Sequence, residues 1–229
     1  MGVQERSRTM KQIFIANPKG GCGKTTIATQ LAGYFANQGR QVLLVDHDAQ
    51  RSSSDWLSSR PAGCAAIESI ALAVEKPVNG AAAELVVHDM PAAWDLDHVA
   101  DIIRPGDQVL IPVLSSPTDI KACLRFIMGL YRSGIMEADI HMGLVANRSR
   151  EQTRYFKVLM EFLERVELPL VTSLRDTQNY VRAMDRGLTI FDLPPNRVAT
   201  DISQWQPIFD WLNEGWEAMR AFQEEGAVA

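Results

Sequence analysis

Cysteine is scarce in this chain of 229 residues: Cys22, Cys64 and Cys123 are the whole supply, odd in number and without a C-x-x-C pair. Such usage excludes a disulfide framework and a cysteine-rich zinc site, and it suits a reducing cytoplasm. Also lacking are an uninterrupted apolar run of membrane-spanning length and a charged-then-apolar signal segment at the N-terminus. Positive charge is in deficit, with 23 Lys and Arg against 28 Asp and Glu for a formal charge of −5. No global positive field exists to hold nucleic acid, so any such binding needs a local patch. The start Met1-Gly2 carries Arg6 where a myristoylation signal wants Ser or Thr. No linker rich in Gly, Ser or Pro and no internal repeat divides the chain. The expectation is a disordered polar leader over residues 1–9 and a single domain with a C-terminal helix over residues 10–229.

What the chain does have is an apolar fraction of 46%, ample for a buried core. Short apolar runs alternate with helix-period segments, the pattern of β-α-β units and an α/β fold with a mostly parallel twisted sheet flanked by helices. Strands are expected at residues 13–16, 42–45, 85–87, 109–113 and 142–146, with a weaker one over 168–174 where Pro169 removes a ladder donor. A helix over 25–37 would bury Ile27, Leu31 and Phe35 and stop at Gly39. Another begins with Ser116 as cap, Pro117 at the first helical position and Asp119 three residues after the cap, presenting Ile120, Leu124, Ile127 and Met128 as its apolar face. A short helix around residues 180–186 and a terminal helix from about Ile202 complete the list.

Chemistry concentrates first in Asn17-Pro18-Lys19-Gly20-Gly21-Cys22-Gly23-Lys24-Thr25-Thr26, between a strand and a helix, where a phosphate-binding loop belongs. Its glycines let successive N–H groups and the helix N-terminus converge on phosphate oxygens. Lys24 supplies a point charge at the β- and γ-phosphates and Thr25 a hydroxyl for Mg²⁺. Asp46-His47-Asp48-Ala49-Gln50 follows the second strand and brings carboxylates to the carboxyl end of the sheet. A carboxylate there can orient or deprotonate water, or hold hydrated Mg²⁺. Leu85-Val86-Val87-His88-Asp89 is an apolar strand ending in an acid, the form of a Walker B site whose carboxylate orients Mg²⁺. His47 and His88 read as core or supporting residues.

The Lys-Gly-Gly-x-Gly-Lys-Thr form, with Pro18 in place of the first glycine of the usual P-loop pattern, resembles the deviant Walker A loop of the ParA/MinD family of ATPases. The Asp46 to Gln50 stretch is similar to that family's Asp-x-Asp-Pro-Gln segment, with Ala49 for its proline, and Ser53, Asp55 and Trp56 continue the likeness. Met90-Pro91 after Asp89, Gln108 to Ile120, and Val145-Ala146-Asn147-Arg148 extend it, from about Met10 to Leu212. The resemblance implies a P-loop NTPase fold and an ATP-sandwiched homodimer with slow, partner-stimulated ATP hydrolysis. It implies Lys19 reaching the partner's nucleotide, Lys24 on the phosphates and Asp48 positioning the attacking water. Nucleotide binding falls to Lys19, Gly20, Gly21, Cys22, Gly23, Lys24, Thr25, Thr26 and Asn147, and the metal to Thr25, Asp89 and Asp46. About forty residues separate Asp48 from Asp89, which looks shorter than in the better-known partition ATPases.

Three kinds of surface could be read by such an ATPase. For nonspecific DNA, the stretch from Arg148 to Arg186 has eight bases against six acids, and Arg182 and Arg186 stand four apart on the expected short helix. They match the region where the family places DNA-contacting arginines, and dimerisation would pair two such patches. A MinD-like membrane anchor would need a basic amphipathic C-terminal helix. Residues 201–225 carry six acids and one base, which anionic lipid would repel. The helix, with Trp205, Ile208, Phe209, Trp211, Leu212, Trp216, Met219 and Phe222, is expected to dock on the sheet or on a partner. A metabolic P-loop enzyme is the alternative of a different class. The leading expectation is a cytoplasmic, nucleoid-associated positioning ATPase for a plasmid, a chromosome or a large protein assembly, working with a stimulating partner or cargo adaptor.

Overall fold

The computed structural model describes residues 10–71, 83–92, 102–135 and 138–226. The expected leader lies outside them, as does the side chain of Phe222. Seven strands form one sheet: β1 (Lys11–Ile15), β2 (Val42–Asp46), β3 (Glu68–Ala71), β4 (Leu85–Asp89), β5 (Gln108–Val113), β6 (His141–Ser149) and β7 (Leu170–Arg175). Their order across the sheet is β3-β2-β4-β1-β5-β6-β7, and every pairing is parallel. Among the described residues the α-helices are α1 (Lys24–Asn37), α2 (Ser52–Ser58), α3 (Pro117–Arg132), α4 (Arg154–Leu163), α5 (Gln178–Met184), α6 (Pro195–Ser203) and α7 (Gln206–Gly226).

Alternation along the strands sends side chains to two cores. Ile13, Ile15, Leu44, Val87 and Leu110 meet α1 and the C-terminal aromatics on one face. Phe14, Val109, Ile111 and Val113 meet α3 and α4 on the other. Because both faces are covered, the central strands read as continuous apolar runs, which is why they were legible. The C-terminal helix docks on the sheet as expected. Trp205, Ile208, Phe209, Leu212 and Trp216 are buried, Phe209 stacks on Tyr34 of α1 with ring centroids 3.6 Å apart, and the Trp205 indole donates to the Tyr180 hydroxyl at 2.8 Å.

Three expectations change. Strand β3 had no counterpart in the sequence reading: it pairs only with β2 at the sheet edge, and its Glu68 and Ser69 hide it from a search for apolar runs. Helix α3 starts as expected, with Ser116 accepting from the Asp119 N–H at 3.2 Å and Pro117 at the first position. Ile127 is buried as expected, but Leu124 and Met128 of the same expected face are 41% and 45% exposed, because the helix buries Cys123, Phe126 and Leu130 in their place. The short helix runs over Gln178–Met184 and ends in a Schellman turn, where Gly187 N donates to Met184 O and Leu188 N to Ala183 O. Arg182 lies in its last turn and Arg186 in the closing turn, and both are exposed.

Candidate nucleotide site

The parallel sheet brings the carboxyl ends of β1, β2, β4, β6 and β7 to one edge, where open α/β sheets bind ligands. A cleft there is walled by the glycine loop before α1, by residues 46–52, by Pro91 and Ala92, by Asn147 and Arg148, and by residues 175–178 with Tyr180, Val181 and Met184. Of the expected site residues it gathers Gly20, Gly21, Gly23, Lys24, Thr25, Thr26, Asp46, Asp48 and Asn147. Lys19 is exposed beside the loop, Cys22 is buried beneath it, and Asp89 lies at the neighbouring strand end. Arg182 and Arg186 stand outside the lining.

The loop is held from below. Asn17, itself buried, donates to Pro112 O at 2.6 Å on β5 and accepts from the Lys19 N–H at 2.8 Å. The Lys24 ammonium, 7% exposed, donates to Lys19 O at 3.2 Å, and Cys22 Sγ reaches the same carbonyl. Gly23, just before α1, has φ 96°, and a Cβ on it would lie 2.1 Å from Asn147 Nδ2. Only glycine tolerates both the left-handed backbone and that approach. The reason for the approach is a bond: the Asn147 amide donates to Cys22 O at 2.8 Å while its oxygen accepts from Arg148 N. Asn147, expected at a base edge, here braces the phosphate loop from β6.

Two aspartates sit in register on neighbouring strands, Asp46 on β2 opposite Asp89 on β4, and they differ in occupation. Asp46 accepts from the N–H of Asp48 at 3.1 Å and from both the N–H and hydroxyl of Ser54 at 2.9 Å, so it shapes the turn into α2. Asp89 is 1% exposed and neither carboxylate oxygen has a hydrogen-bond partner. Burial pushes its carboxyl up to about 7, with the Asp46 charge adding to the rise while the nearby Thr25 and Ser53 hydroxyls and the Lys24 charge oppose it. An orphaned buried carboxylate beside a threonine hydroxyl is a hard-oxygen donor set suited to Mg²⁺. Among the described residues no cluster of three or more His, Cys, Asp or Glu side chains could hold a metal alone.

Asp48 is half-buried on the cleft wall and accepts from the Gln50 N–H at 2.9 Å. His47 and His88 occupy supporting positions, as the sequence suggested. His47 Nε2 and His88 Nδ1 are 2.9 Å apart, and His88 Nε2 meets Gln12 Oε1 at 3.1 Å. Burial lowers both, His47 to about 4, so the pair is neutral at physiological pH.

The opposite wall was missed. Arg148 and Arg150 both pair with Asp176, and Arg175 pairs at 2.5 Å with Asp201, which also accepts from Asn179 Nδ2 at 2.6 Å. These residues have no local motif. The one usable signal was the position of Arg175 at the carboxyl end of β7.

Comparison with known proteins agrees with this geometry. Residues 13–190 match the CobQ/CobB/MinD/ParA nucleotide binding domain. The "Maintenance of carboxysome distribution protein A" of Halothiobacillus neapolitanus is 30% identical over 194 residues, 79% of this chain and 87% of that protein. Among solved structures, a plasmid partition protein of Borrelia burgdorferi bound to AMPPNP superposes with a TM-score of 0.65 at 17% identity, covering 90% of this chain and 99% of that one. An ATP-complexed McdA variant of Cyanothece gives 0.63 at 18% identity, covering 90% and 96%.

Proposed function

The chain belongs to the CobQ/CobB/MinD/ParA nucleotide-binding family, and from that premise we propose that it is an ATPase whose ATP-bound homodimer positions a large cargo on DNA. The carrying observation is the buried, unpartnered Asp89 carboxylate at the strand end beside a glycine loop that presents Lys24 and Thr25. That pair of features suits a metal-bound polyphosphate.

In this reading the 20–26 loop and the α1 N-terminus hold the phosphates. Thr25 and Asp89 would hold Mg²⁺, which would supply neutralisation of charge on the β- and γ-phosphates. Lys24 stays on its own chain's nucleotide. Lys19, exposed at the loop's outer edge, reaches the nucleotide of the second copy. Asp48 orients the attacking water from the facing wall. Asp46 acts at one remove, fixing the turn that carries Asp48. Loss of the γ-phosphate removes what holds the two chains together, and the dimer opens.

Likeness to a carboxysome distribution protein over most of both chains favours a protein assembly as cargo over a plasmid. Among the described residues no helix is long and apolar enough to cross a membrane. Trp205, Phe209, Trp211 and Trp216, aromatic residues that could have served a membrane anchor, are buried in the core. DNA contact falls to exposed arginines including Arg182 and Arg186, doubled by dimerisation, which would place the protein on the nucleoid, with a partner protein stimulating turnover. A gel-shift titration on nonspecific duplex DNA without nucleotide, with ADP and with ATP plus Mg²⁺, repeated across salt, tests this. Binding with ATP alone, and with a log–log salt slope of about −0.9 per phosphate neutralised, is expected. No binding in any state by protein that hydrolyses ATP would remove DNA from the cycle.

A further inference from the structure

Among the described residues only two non-glycine residues have a positive φ, Arg51 at 54° and Arg148 at 49°. Both are arginines, and both line the cleft. The Cβ of an L-residue crowds the backbone in this region, and such strain persists where the surroundings impose it, often at ligand sites.

For Arg148 the surroundings supply a partner, since its guanidinium pairs with Asp176. For Arg51 they supply only a position. Its N–H donates to Asp48 O at 2.9 Å and its carbonyl accepts from Asp55 N at 2.9 Å, so the residue is clamped between Asp48 and the first turn of α2. That helix is anchored in turn by Ser54 on Asp46 and by buried Trp56, whose indole donates to Leu188 O. The Arg51 side chain is exposed and makes no ion pair among the described residues. Along residues 46–52 the cleft wall has two carboxylates, Asp46 and Asp48, and Arg51 is its single full cation.

A wall that offers carboxylates to a polyanion needs a compensating charge at the same place. We propose that Arg51 is a specificity residue that contacts the terminal phosphate of the nucleotide on its own chain, drawing ATP rather than ADP into the cleft. A guanidinium can grip two phosphate oxygens at once, which a lysine cannot. The left-handed backbone at Arg51, bonded to Asp48 O, sets the residue on the cleft wall beside Asp48. This rests on the nucleotide reading of the site above.

The test is equilibrium binding of fluorescent ATP and ADP analogues with Mg²⁺ to the wild type, Arg51→Gly, Arg51→Ala and Arg51→Lys. Protein is kept dilute enough for one chain per complex, as checked by light scattering. The glycine variant relieves the backbone strain, so its nucleotide-free thermal midpoint should equal or exceed that of the wild type. Its ATP affinity should fall about tenfold or more while ADP affinity changes less than about threefold. Arg51→Ala should show the same selective loss and Arg51→Lys an intermediate one. Equal loss for both nucleotides, or no loss, would overturn the assignment, and so would a lowered midpoint in the glycine variant. Wild type that binds neither nucleotide would instead sink the nucleotide reading itself.

Discussion

The phosphate end of the cleft and its opposite wall are built by different means. At the phosphate end, ten consecutive residues from Asn17 to Thr26 carry the loop, and the geometry follows from glycines the backbone requires, such as Gly23 against Asn147. The opposite wall joins β6, β7, α5 and α6 through side chains distant in sequence: Arg148 and Arg150 on Asp176, and Arg175 and Asn179 on Asp201. One wall is written locally and the other is assembled by tertiary contacts. Change at the first should therefore remove binding outright, and change at the second should register mainly in stability.

The largest effect should come from Gly23→Ala. The new Cβ meets Asn147 Nδ2 at 2.1 Å in a backbone region alanine avoids, so the loop must move. Nucleotide affinity by calorimetry should fall by at least about a hundredfold, roughly 3 kcal/mol, with the fold retained by circular dichroism. Residual tight binding would mean that the loop is not the phosphate cradle.

Asp89→Asn sharpens the contrast inside the phosphate end. The amide removes a buried carboxylate that has no partner, so the nucleotide-free protein should hold or gain stability in urea while Mg²⁺ ceases to enhance nucleotide binding. Chelating Mg²⁺ from the wild type should reproduce the second effect. A wild-type Mg²⁺ response in the variant would move the metal elsewhere.

On the opposite wall, Arg175→Ala leaves Asp201, 0% exposed, with Asn179 as its remaining side-chain donor. A buried charge losing its partner costs on the order of 3 kcal/mol. The partial exposure of Arg175 argues for the lower side, about 2 kcal/mol by urea denaturation. A smaller loss in nucleotide affinity than in stability is expected, and the reverse order would break the comparison. Smallest of all is Arg150→Ala, whose exposed pair with Asp176 should be worth less than about 1 kcal/mol.

This division also explains what the sequence revealed. Strands buried on both faces, such as Val42 to Val45 and Val109 to Val113, announce themselves by composition, as does a loop whose glycines have no substitute. Edge strand β3 does not, because one neighbour and a solvent side leave Glu68 and Ser69 in it. Leu124 and Met128 satisfied the helical period yet face outward, since periodicity sets spacing and packing sets which stripe is buried. Asp46 and Asp89 looked alike as acids at strand ends. Only the Ser54 and Asp48 donors distinguish the one that shapes a turn from the one whose carboxylate oxygens have no hydrogen-bond partner.

The central claim is that ATP joins two copies of this chain across their clefts, and its most direct measurement is solution mass by light scattering with Mg²⁺ and either ADP or ATP. The Asp48→Ala protein, expected to bind ATP without turning it over, holds the ATP state still. The account predicts twice the 25.5 kDa mass of one chain with ATP, a single chain with ADP, and a single chain in both when Lys19→Ala is added. A single-chain mass with ATP shown to be bound, or a dimer that survives Lys19→Ala, would contradict it.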